Sequence, residues 1–451
     1  MNHRPFLPLL LCAVAALLTG CAYATDLYVS PAGSDKNDGK SLKTAFATAQ
    51  YAADKAEPGD TVFFAEGKHT APVGKTLLTV TRSGVPGKPI VFKNAPGARP
   101  VLVNNGGWEA IKVSGASHLQ FRGLSLRGIA PEITVAEAER EKNNLNNPRT
   151  SGNGLNITDN KTTKTFPSHI TVQECDIRDF PGGGLSAIHA DFITFENNTV
   201  ARCGFYAPYA CSGISIYQPI DQGTDPGYKI VIRGNVSFEN YNHVPFFYSN
   251  TDPEKRKVTD GNGIILDDYS NKQDFGGGSG KPYTGRTLIA NNVVFGNGGS
   301  GIHTFLTHNV DIVHNYAANN NRHPGLREGQ IFANMSHDIR VLNNILIAPA
   351  GKPVNSDYNN ENVTYDHNVY STADGSAPVF ARELADNVLA PAPLLLSGWE
   401  KGGRGYSLTS VETLRKVATV FEGIPTDFFG NKRVVGKPVA GPFGTARQAK
   451  K

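Results

Sequence analysis

The stretch ANNVVFGNGGSGIHTFLTHNVDIVHNYAANN, residues 290–320, contains one complete turn of a repeat. Asn292 stands before a short apolar run, Gly301 follows nine residues later, and Asn315 stands 14 residues beyond that glycine. Each run alternates between apolar and polar residues, which predicts a β-strand, and the Gly- and Asn-rich segments between the runs predict turns. The stretch therefore predicts short strands at a fixed separation.

The same landmarks recur along much of the chain. The separation of 14 residues is found again from Gly184 to Asn198 and from Gln330 to Asn344. Short strands that repeat every twenty-odd residues bury their inner face only by stacking on their neighbours, which predicts an all-β, right-handed parallel β-helix. Stacked asparagines can hydrogen-bond along such a ladder, so a structural role is expected for the six that precede the runs. They are Asn198, Asn235, Asn292, Asn315, Asn344 and Asn368.

A solenoid needs covered ends, and two helical patterns are candidates for this role. Residues 41–60 form an amphipathic pattern that ends at Pro-Gly, and we expect an N-terminal capping helix there. Residues 409–423 predict a second helix, and the segment 426–443 is expected to fold over the other end. The predicted division is residues 25–394 for the β-helix with its N-terminal cap and 395–451 for the C-terminal cap and tail.

The opening LYVSPAGSDKNDGKSLKTAFATAQYAADKAEPGDTVFFAEGKHT, residues 27–70, resembles exported right-handed β-helix proteins of the pectate-lyase-like superfamily, and most nearly the family-nine polysaccharide lyases. This resemblance implies the fold and cleavage of an acidic polysaccharide. The family-nine pattern also has DG followed one coil later by an acidic calcium cluster. Here DGNG is present at 260–263, but the next coil reads GSGIHTF and lacks those acids.

The N-terminus predicts export. A short basic start and an apolar core precede LTGC (Leu18 to Cys21), a lipobox-like match, and AYA (Ala22 to Ala24), an ordinary cleavage site. Residues 1–24 are therefore predicted to be a signal peptide, and the product an outer-membrane lipoprotein anchored through lipidated Cys21 or a periplasmic or secreted protein. In an oxidising compartment Cys203 and Cys211 could form a disulfide, or both could simply be buried.

The charge excludes one class of partner. The formal net charge is +4, and no basic helix or stripe occurs, so a nucleic-acid partner is not expected. A mild basic excess is compatible with an acidic polysaccharide. Nothing in the sequence indicates an oligomeric state.

The longest insertions surround one strand. Gly213 is followed by Asn235 after 22 residues, and Gly263 by Asn292 after 29, instead of 14. Insertions in repeat proteins map to one face and commonly carry the binding surface. Alternation predicts two outward rows there, with coils about 4.8 Å apart. The rows are Ser215, Ile265, His303 and Phe332, and Tyr217, Asp267, Phe305 and Asn334, with Asp268 at the adjoining turn.

Carboxylates, an imidazole and aromatic rings in a groove are typical of a site for sugar chains. Elimination needs stabilisation of the substrate carboxylate, a base and an acid. Candidate catalytic residues are Asp267, Asp268, His303, Lys257 and Arg327, and candidate substrate-binding residues are Tyr217, Phe305, Asn334 and Glu328. Hard oxygen ligands suit Ca²⁺, so Asp260, Asp267 and Asp268 are a possible calcium site.

The favoured function is a polysaccharide lyase that cleaves a uronate-containing chain by β-elimination. Three alternatives remain open from the sequence. A β-helix glycoside hydrolase would use the Asp residues as paired carboxylates, and a C5 epimerase would share the lyase site. A cell-surface glycan-binding protein would keep the aromatic residues and need no cluster of carboxylates and imidazole.

Overall fold

The computed structural model describes residues 24–274, 277, 279–380, 387–389, 395–396, 406–407, 411–434 and 436–444. The predicted signal peptide, with the lipidation site Cys21, thus lies almost entirely outside the described residues. Among the described residues, no helix is both long and apolar enough to cross a membrane.

Three parallel sheets run the length of the described chain, and each coil contributes one strand to each sheet in turn. Sheet 1 contains eleven described strands: Asp26–Val29, Thr61–Phe64, Ile90–Asn94, Leu119–Arg122, Ser168–Gln173, Asp191–Glu196, Tyr228–Arg233, Arg286–Ala290, His308–Val313, His337–Leu342 and Glu361–Asp366. Sheet 2 contains eleven described strands: Lys68–Thr70, Val101–Val103, Ser125–Arg127, Asp176–Arg178, Thr199–Ala201, Val236–Phe238, Val293–Phe295, Tyr316–Ala318, Ile345–Ala348, Val369–Thr372 and Val388–Leu389. Sheet 3 contains ten described strands: Leu78–Val80, Glu109–Ser114, Asn153–Thr158, Leu185–Ile188, Ile214–Tyr217, Ile264–Asp267, Ile302–Phe305, Ile331–Asn334, Pro353–Tyr358 and Val379–Phe380. This architecture confirms the predicted all-β parallel solenoid.

The core lies inside the coils. Inward side chains of consecutive strands stack on one another, as Phe92 does on Phe121 with ring centroids 5.1 Å apart. Aligned rows of buried apolar side chains remove the inner faces of all three sheets from water, which is the main favourable contribution to folding. The polar turns and outward faces are consequently left to carry binding groups.

The asparagine ladder is formed as predicted, at the turns between sheets 1 and 2. The Nδ2 atom of Asn292 donates to Asn315 Oδ1 at 2.9 Å, and Asn235 Nδ2 donates to Asn292 Oδ1 at 3.0 Å. A second ladder, which the sequence interpretation missed, runs along the turns between sheets 2 and 3 through Asn240, Asn297 and Asn320. Both ladders satisfy buried backbone groups of adjacent coils.

The helices are shorter than the sequence patterns predicted. The N-terminal pattern yields a 3₁₀ turn at Leu42–Thr44 and the helix Ala49–Lys55. The helices Val135–Glu141 and Pro148–Ser151 belong to an insertion beside sheet 3. Single 3₁₀ turns lie at Ala130–Glu132, Phe247–Ser249 and Pro253–Lys255. Towards the C-terminus, Leu395–Leu396 pairs antiparallel with Tyr406–Ser407, and a helix spans Val411–Val417.

The described C-terminal segment lies in a different place from the one predicted. Leu414, Phe428 and Phe443 pack with Phe238 and Ile345 against the outer face of sheet 2. The outer face of sheet 2 is apolar at these positions, and covering it removes more apolar surface from water than an end cap would. The expectation that residues 426–443 fold over the end of the solenoid is therefore wrong.

The predicted disulfide is not formed. Cys203 occupies the rung of the second ladder next to Asn240, where its backbone N–H donates to Asn240 Oδ1 at 3.0 Å. Its thiol is buried and donates to the Ala201 carbonyl at 3.3 Å, and Cys211 lies apart in the following loop as a free thiol. The ladder, rather than a cross-link, accounts for the position of Cys203.

Candidate active site

The floor of the candidate site is the outward face of four adjacent strands of sheet 3. The predicted outer row is confirmed by the register, in which Tyr217 pairs with Asp267, Asp267 with Phe305, and Phe305 with Asn334. The second predicted row, of Ser215, Ile265, His303 and Phe332, is confirmed by the same pairings. In the strand that carries His303 and Phe305, the alternating residues Ile302 and Thr304 point inward and are fully buried, as alternation predicts.

Loops raise walls around this floor and enclose a cavity of about 880 Å³. This volume falls in the upper part of the range of ligand sites in proteins, roughly 300–1,000 Å³. Tyr209–Ser212 and Phe246–Asp260 contribute to the walls, together with Gly325–Glu328. The predicted association of long insertions with the site is therefore confirmed for the loop that precedes Asp260.

Several residues that line the cavity carry buried polar atoms without a partner among the described residues. They are Tyr217 Oη, both ring nitrogens of His303 and Asn334 Oδ1. His303 is only 6% exposed, and its ring stacks on Phe332 with centroids 4.7 Å apart. Buried polar groups are normally hydrogen-bonded, so unpartnered donors and acceptors that converge on one cavity indicate groups reserved for a ligand.

Four carboxyl groups line the same cavity, and three of them, Asp260, Asp267 and Glu328, lie at the ends of the floor strands. Asp267 ends its strand, whereas Asp260 and Glu328 lie where the floor strands begin. Burial raises the pKa of Asp260 to about 7, and burial together with the charge of Asp260 raises that of Glu328 to about 7. Burial, followed by the charge of Asp260, raises the pKa of Asp267 well above its usual range. Asp260 and Glu328 are therefore partly protonated near neutral pH, and burial favours the neutral form of Asp267.

The imidazole and the phenol are also held neutral. Burial lowers the pKa of His303 to about 3, so its ring carries no charge at neutral pH. Burial and then the charge of Asp267 raise the pKa of Tyr217. The cavity thus offers a neutral imidazole with one free basic nitrogen, a phenol and protonated carboxyl groups.

Asp268 does not face the cavity, contrary to the prediction. It is fully buried at the turn, with φ of 50°, and this left-handed conformation turns its side chain away from the outward row. Its carboxylate accepts the backbone N–H groups of Lys272 at 3.0 Å and Gln273 at 2.7 Å. Asp268 is consequently not available to touch a substrate.

The predicted three-carboxylate calcium site is not formed by Asp260, Asp267 and Asp268. The Asp268 oxygens are committed to their own turn, and no group of three or more His, Cys, Asp or Glu side chains in the described part of the chain is arranged to hold a metal ion. Asp260 is engaged by Thr259 at 2.8 Å and by Asn262 at 2.8 Å. The donor set that the sequence suggested therefore does not fit Ca²⁺, whose sites need six to eight oxygens.

The remaining predicted residues divide between the cavity and the outer surface. Lys257, Phe305 and Glu328 line the cavity, whereas Arg327 is exposed and is not among its lining residues. Alternation along the chain explains the difference, because Leu326 and Glu328 line the cavity and Arg327, which lies between them, points the other way. Glu328 accepts the Ser300 hydroxyl at 3.1 Å.

Among the lining residues that the sequence interpretation missed, four carry ionisable or amide side chains near the ends of strands of sheet 3. Asp159 and His189 follow strands of sheet 3, Lys161 lies beyond Asp159, and Gln273 lies in the loop after Asp268. The Nε2 atom of Gln273 donates to Asp267 Oδ1 at 2.7 Å. The usable signal for Asp159 and His189 was positional, since each directly follows a strand of sheet 3.

The raised carboxyl pKa values predict a pH-dependent stability. Asp260 keeps its proton up to about pH 7 when folded, whereas its ordinary pKa is 3.8. Between these values the folded state binds more protons than the unfolded state, so the free energy of unfolding falls as pH rises through this window. We expect Asp260→Asn to flatten that fall in urea titrations across the window. Asp225→Asn, in an exposed loop, is the control and should leave the slope unchanged; equal slopes in all three proteins would contradict the assignment.

Comparison with known proteins agrees with this architecture. Residues 27–183 match the family described as Pel9A-like, right handed beta helix region, and residues 109–275 match the right handed beta helix region family. These matches, together with the three parallel sheets, show that the chain has the right-handed parallel β-helix fold. Its N-terminal coils carry the Pel9A-like version of that fold.

Individual relatives are distant. The uncharacterized protein YwoF of Bacillus subtilis (strain 168) is 34% identical over 118 residues, which are 25% of this chain and 24% of the relative. The chain therefore matches about a quarter of that relative's length. The crystal structure of pectate lyase Pel9A has a TM-score of 0.53 at 15% identity and covers 95% of this chain and 98% of its own. A rhamnogalacturonan lyase has a TM-score of 0.45 at 16% identity, with 79% and 90% covered. At 15% identity the Pel9A structure establishes the fold alone.

Proposed function

We propose that this protein is a polysaccharide lyase that cleaves a uronate-containing chain by β-elimination in the cavity on sheet 3. The observation that carries the proposal is the convergence on one cavity of His303 and Tyr217, whose polar side-chain atoms have no partner among the described residues, with Asp267, whose neutral form burial favours. These groups match the three requirements of elimination, which are a base, an acid and a donor for the substrate carboxylate.

Asp267 and Lys257 are assigned to the substrate carboxylate. A protonated carboxyl group donates a hydrogen bond, and in a buried site this donor stabilises the charge that develops on the uronate when its C5 proton leaves. Lys257 is exposed at the rim of the cavity and adds a positive charge that attracts an anionic chain. Together they replace the cation that a metal-dependent lyase would use.

His303 and Tyr217 are assigned to proton transfer. The neutral imidazole takes the C5 proton, the C4–O bond breaks as the C4–C5 double bond forms, and the Tyr217 hydroxyl protonates the departing oxygen. A bound uronate carboxylate next to His303 raises the imidazole pKa, which makes the ring a better base in the complex than in the free protein. Solvent then returns the proton from His303 to Tyr217.

The walls favour a sugar chain over a small solute. Phe305 and Trp108 line the cavity and offer flat apolar faces on which sugar C–H groups can stack. Asn334 presents its free carbonyl oxygen in the same row as Asp267 and can accept a hydroxyl group. The fold itself is compatible with elimination, since pectate lyase Pel9A shares it.

Replacement of His303 tests the assignment of the base. We expect His303→Ala to lower kcat on the cleaved uronate polymer by about 10²- to 10⁴-fold, because a positioned base contributes that much to proton transfer. Activity is measured as the ultraviolet absorbance of the unsaturated uronate over a panel of uronate polymers. His337→Ala, which changes an exposed imidazole on sheet 1, is the control and should stay within about twofold of the wild type. Wild-type activity in His303→Ala would remove His303 from the mechanism.

One observation favours hydrolysis as the second candidate. Asp260 and Glu328 each have a pKa of about 7, and they lie at the opposite end of the floor strands from Asp267. Two carboxyl groups about 6.5–9.5 Å apart can act as acid and base on either side of a glycosidic bond. New reducing ends without unsaturated product would favour this candidate. A non-catalytic glycan-binding protein would bind the chain and yield neither product.

Calcium dependence is tested by the ultraviolet assay of unsaturated uronate. We expect turnover to survive a chelator, because the described carboxylates do not form the predicted metal site and Asp267 donates the hydrogen bond itself. Loss of activity in chelator with recovery on adding Ca²⁺ would contradict this assignment.

Export stays a prediction for the N-terminal segment. Purification of the mature protein followed by mass measurement of its N-terminus distinguishes lipidated Cys21 from ordinary cleavage.

A further inference from the structure

A chain of hydrogen bonds runs across four consecutive coils at the edge of the cavity. It joins the residues that directly follow four strands of sheet 3, which are Asp159, His189, Gln218 and Asp268. His189 Nδ1 lies 2.9 Å from Asp159 Oδ1, and His189 Nε2 lies 3.2 Å from Gln218 Oε1. Gln218 Nε2 donates to Asp268 Oδ2 at 2.8 Å. We call these four residues the edge relay.

The direction of every hydrogen bond in the edge relay can be assigned. The Gln218 amide nitrogen lies 2.8 Å from Asp268 Oδ2 and 2.8 Å from the Gln273 carbonyl, and both of these oxygens only accept. The amide oxygen therefore faces His189, whose Nε2 must donate. Although burial opposes ionisation, hydrogen bonds from His189 and Lys161 hold the pKa of Asp159 below its usual range. His189 consequently donates through both ring nitrogens to two fixed acceptors.

The edge relay ends on one residue of the cavity wall, Gln273. Asp268 Oδ2 accepts the Gln273 backbone N–H at 2.7 Å, and Gln218 donates to the Gln273 carbonyl at 2.8 Å. Both backbone groups of Gln273 are thus fixed by the relay. Its side-chain amide in turn donates to Asp267 Oδ1 at 2.7 Å.

We infer that the edge relay, acting through Gln273, positions Asp267 for the reaction. Gln218 and Asp268 are positioning residues, since neither lines the cavity and both act through Gln273. The amide of Gln273 occupies Oδ1 of Asp267, whereas Oδ2 has no hydrogen-bond partner among the described residues. This inference rests on the proposed role of Asp267 as the donor to the substrate carboxylate.

Three residues of the edge relay share a backbone conformation with the rest of this sheet edge. Leu306 and Met335, which follow the next two strands of sheet 3, also have left-handed φ values. His189, Gln218 and Asp268 adopt values of 53°, 45° and 50°. All three are at most 1% exposed, so each hydrogen bond forms in a medium of low dielectric, where it orients its partner firmly. A rigid support of this kind is what a catalytic carboxyl needs to keep its orientation.

Titration of the Asp267 carboxyl group tests the inference without any assumption about the reaction. The carbonyl stretch of the protonated carboxyl is followed by infrared spectroscopy against pH, with Asp267→Asn subtracted to isolate the band. In the wild type the hydrogen bond from Gln273 favours the ionised form. We therefore expect Gln273→Leu to raise the midpoint of this titration, and Asp268→Asn to raise it by a smaller amount. Gln173→Leu, on the outward face of sheet 1, is the matched control and should leave the midpoint unchanged.

Kinetics provide the second readout. Misplacement of Asp267 in Gln273→Leu should lower kcat by about 10- to 100-fold with little change in KM, because orientation is lost while the binding walls remain. An unchanged midpoint and band shape in Gln273→Leu would overturn the inference, whatever the activity. A shifted midpoint in a protein that proves to be inactive on uronates would support the relay and reject only the proposed function. Gln273→Leu keeps the backbone bonds of the loop, so this test stands even if Asp268→Asn fails to fold.

Discussion

Asp267→Ala is expected to lower kcat/KM on the cleaved uronate polymer by about 10²- to 10³-fold, the loss that follows removal of one buried donor to a developing oxyanion. Asp267 carries the carboxyl with the pKa raised well above its usual range, and it lies between Tyr217 and Phe305 in the outward row. The measurement is the initial rate of unsaturated uronate formation, with circular dichroism to verify the fold.

Asp267→Asn separates the possible roles of this residue. An amide still donates a hydrogen bond but cannot deliver a proton, so elimination with Asp267 as a donor predicts that Asn retains clearly more activity than Ala. Equal and complete loss in both variants would assign Asp267 to proton transfer instead. Asp338→Asn, an exposed carboxylate on sheet 1, is the matched control and should be indistinguishable from the wild type.

The largest effect on stability is expected from the asparagine ladder. Asn292 Nδ2 donates to the Ile232 carbonyl at 2.9 Å, and its Oδ1 accepts the backbone N–H of Asn235 at 2.9 Å. Asn292→Ala leaves both backbone groups buried without partners, and each such group costs about 1–3 kcal/mol. We therefore expect the free energy of unfolding in urea to fall by about 2–5 kcal/mol.

Asn146→Ala is the matched control for the ladder, because this asparagine is exposed in the insertion beside sheet 3. Its free energy of unfolding should stay within about 0.5 kcal/mol of the wild type. Similar urea midpoints for Asn292→Ala and Asn146→Ala would show that the ladder contributes no more than a surface residue, contrary to this account.

The outward rows could be predicted because they depend on local rules. Strand alternation assigns His303 and Phe305 to the outer face, and the constant separation between Gly301 and Asn315 aligns successive coils. Neither rule needs knowledge of distant contacts. The predictions for Tyr217, Asp267, Phe305 and Asn334 were confirmed for this reason.

The turns could not be predicted in the same way. Asp268 follows Asp267 directly, yet a left-handed φ directs its carboxylate into the loop rather than the cavity. That choice depends on Gln218 from the previous coil, 50 residues earlier in the chain. Likewise, the C-terminal segment packs on sheet 2 because apolar residues such as Phe238 lie on the outer face of that sheet. This apolar face is formed only when the strands assemble, so local sequence rules do not show it.

The masses of the products distinguish elimination, the proposed reaction, from hydrolysis. A uronate oligosaccharide of defined length is incubated with the wild type and with His303→Ala, and all products are identified by mass spectrometry. Elimination adds no water, so the masses of the two fragments must sum to that of the substrate, and His303→Ala must produce far less of them. Fragments whose masses sum to the mass of the substrate plus one water would show hydrolysis and contradict the proposed elimination.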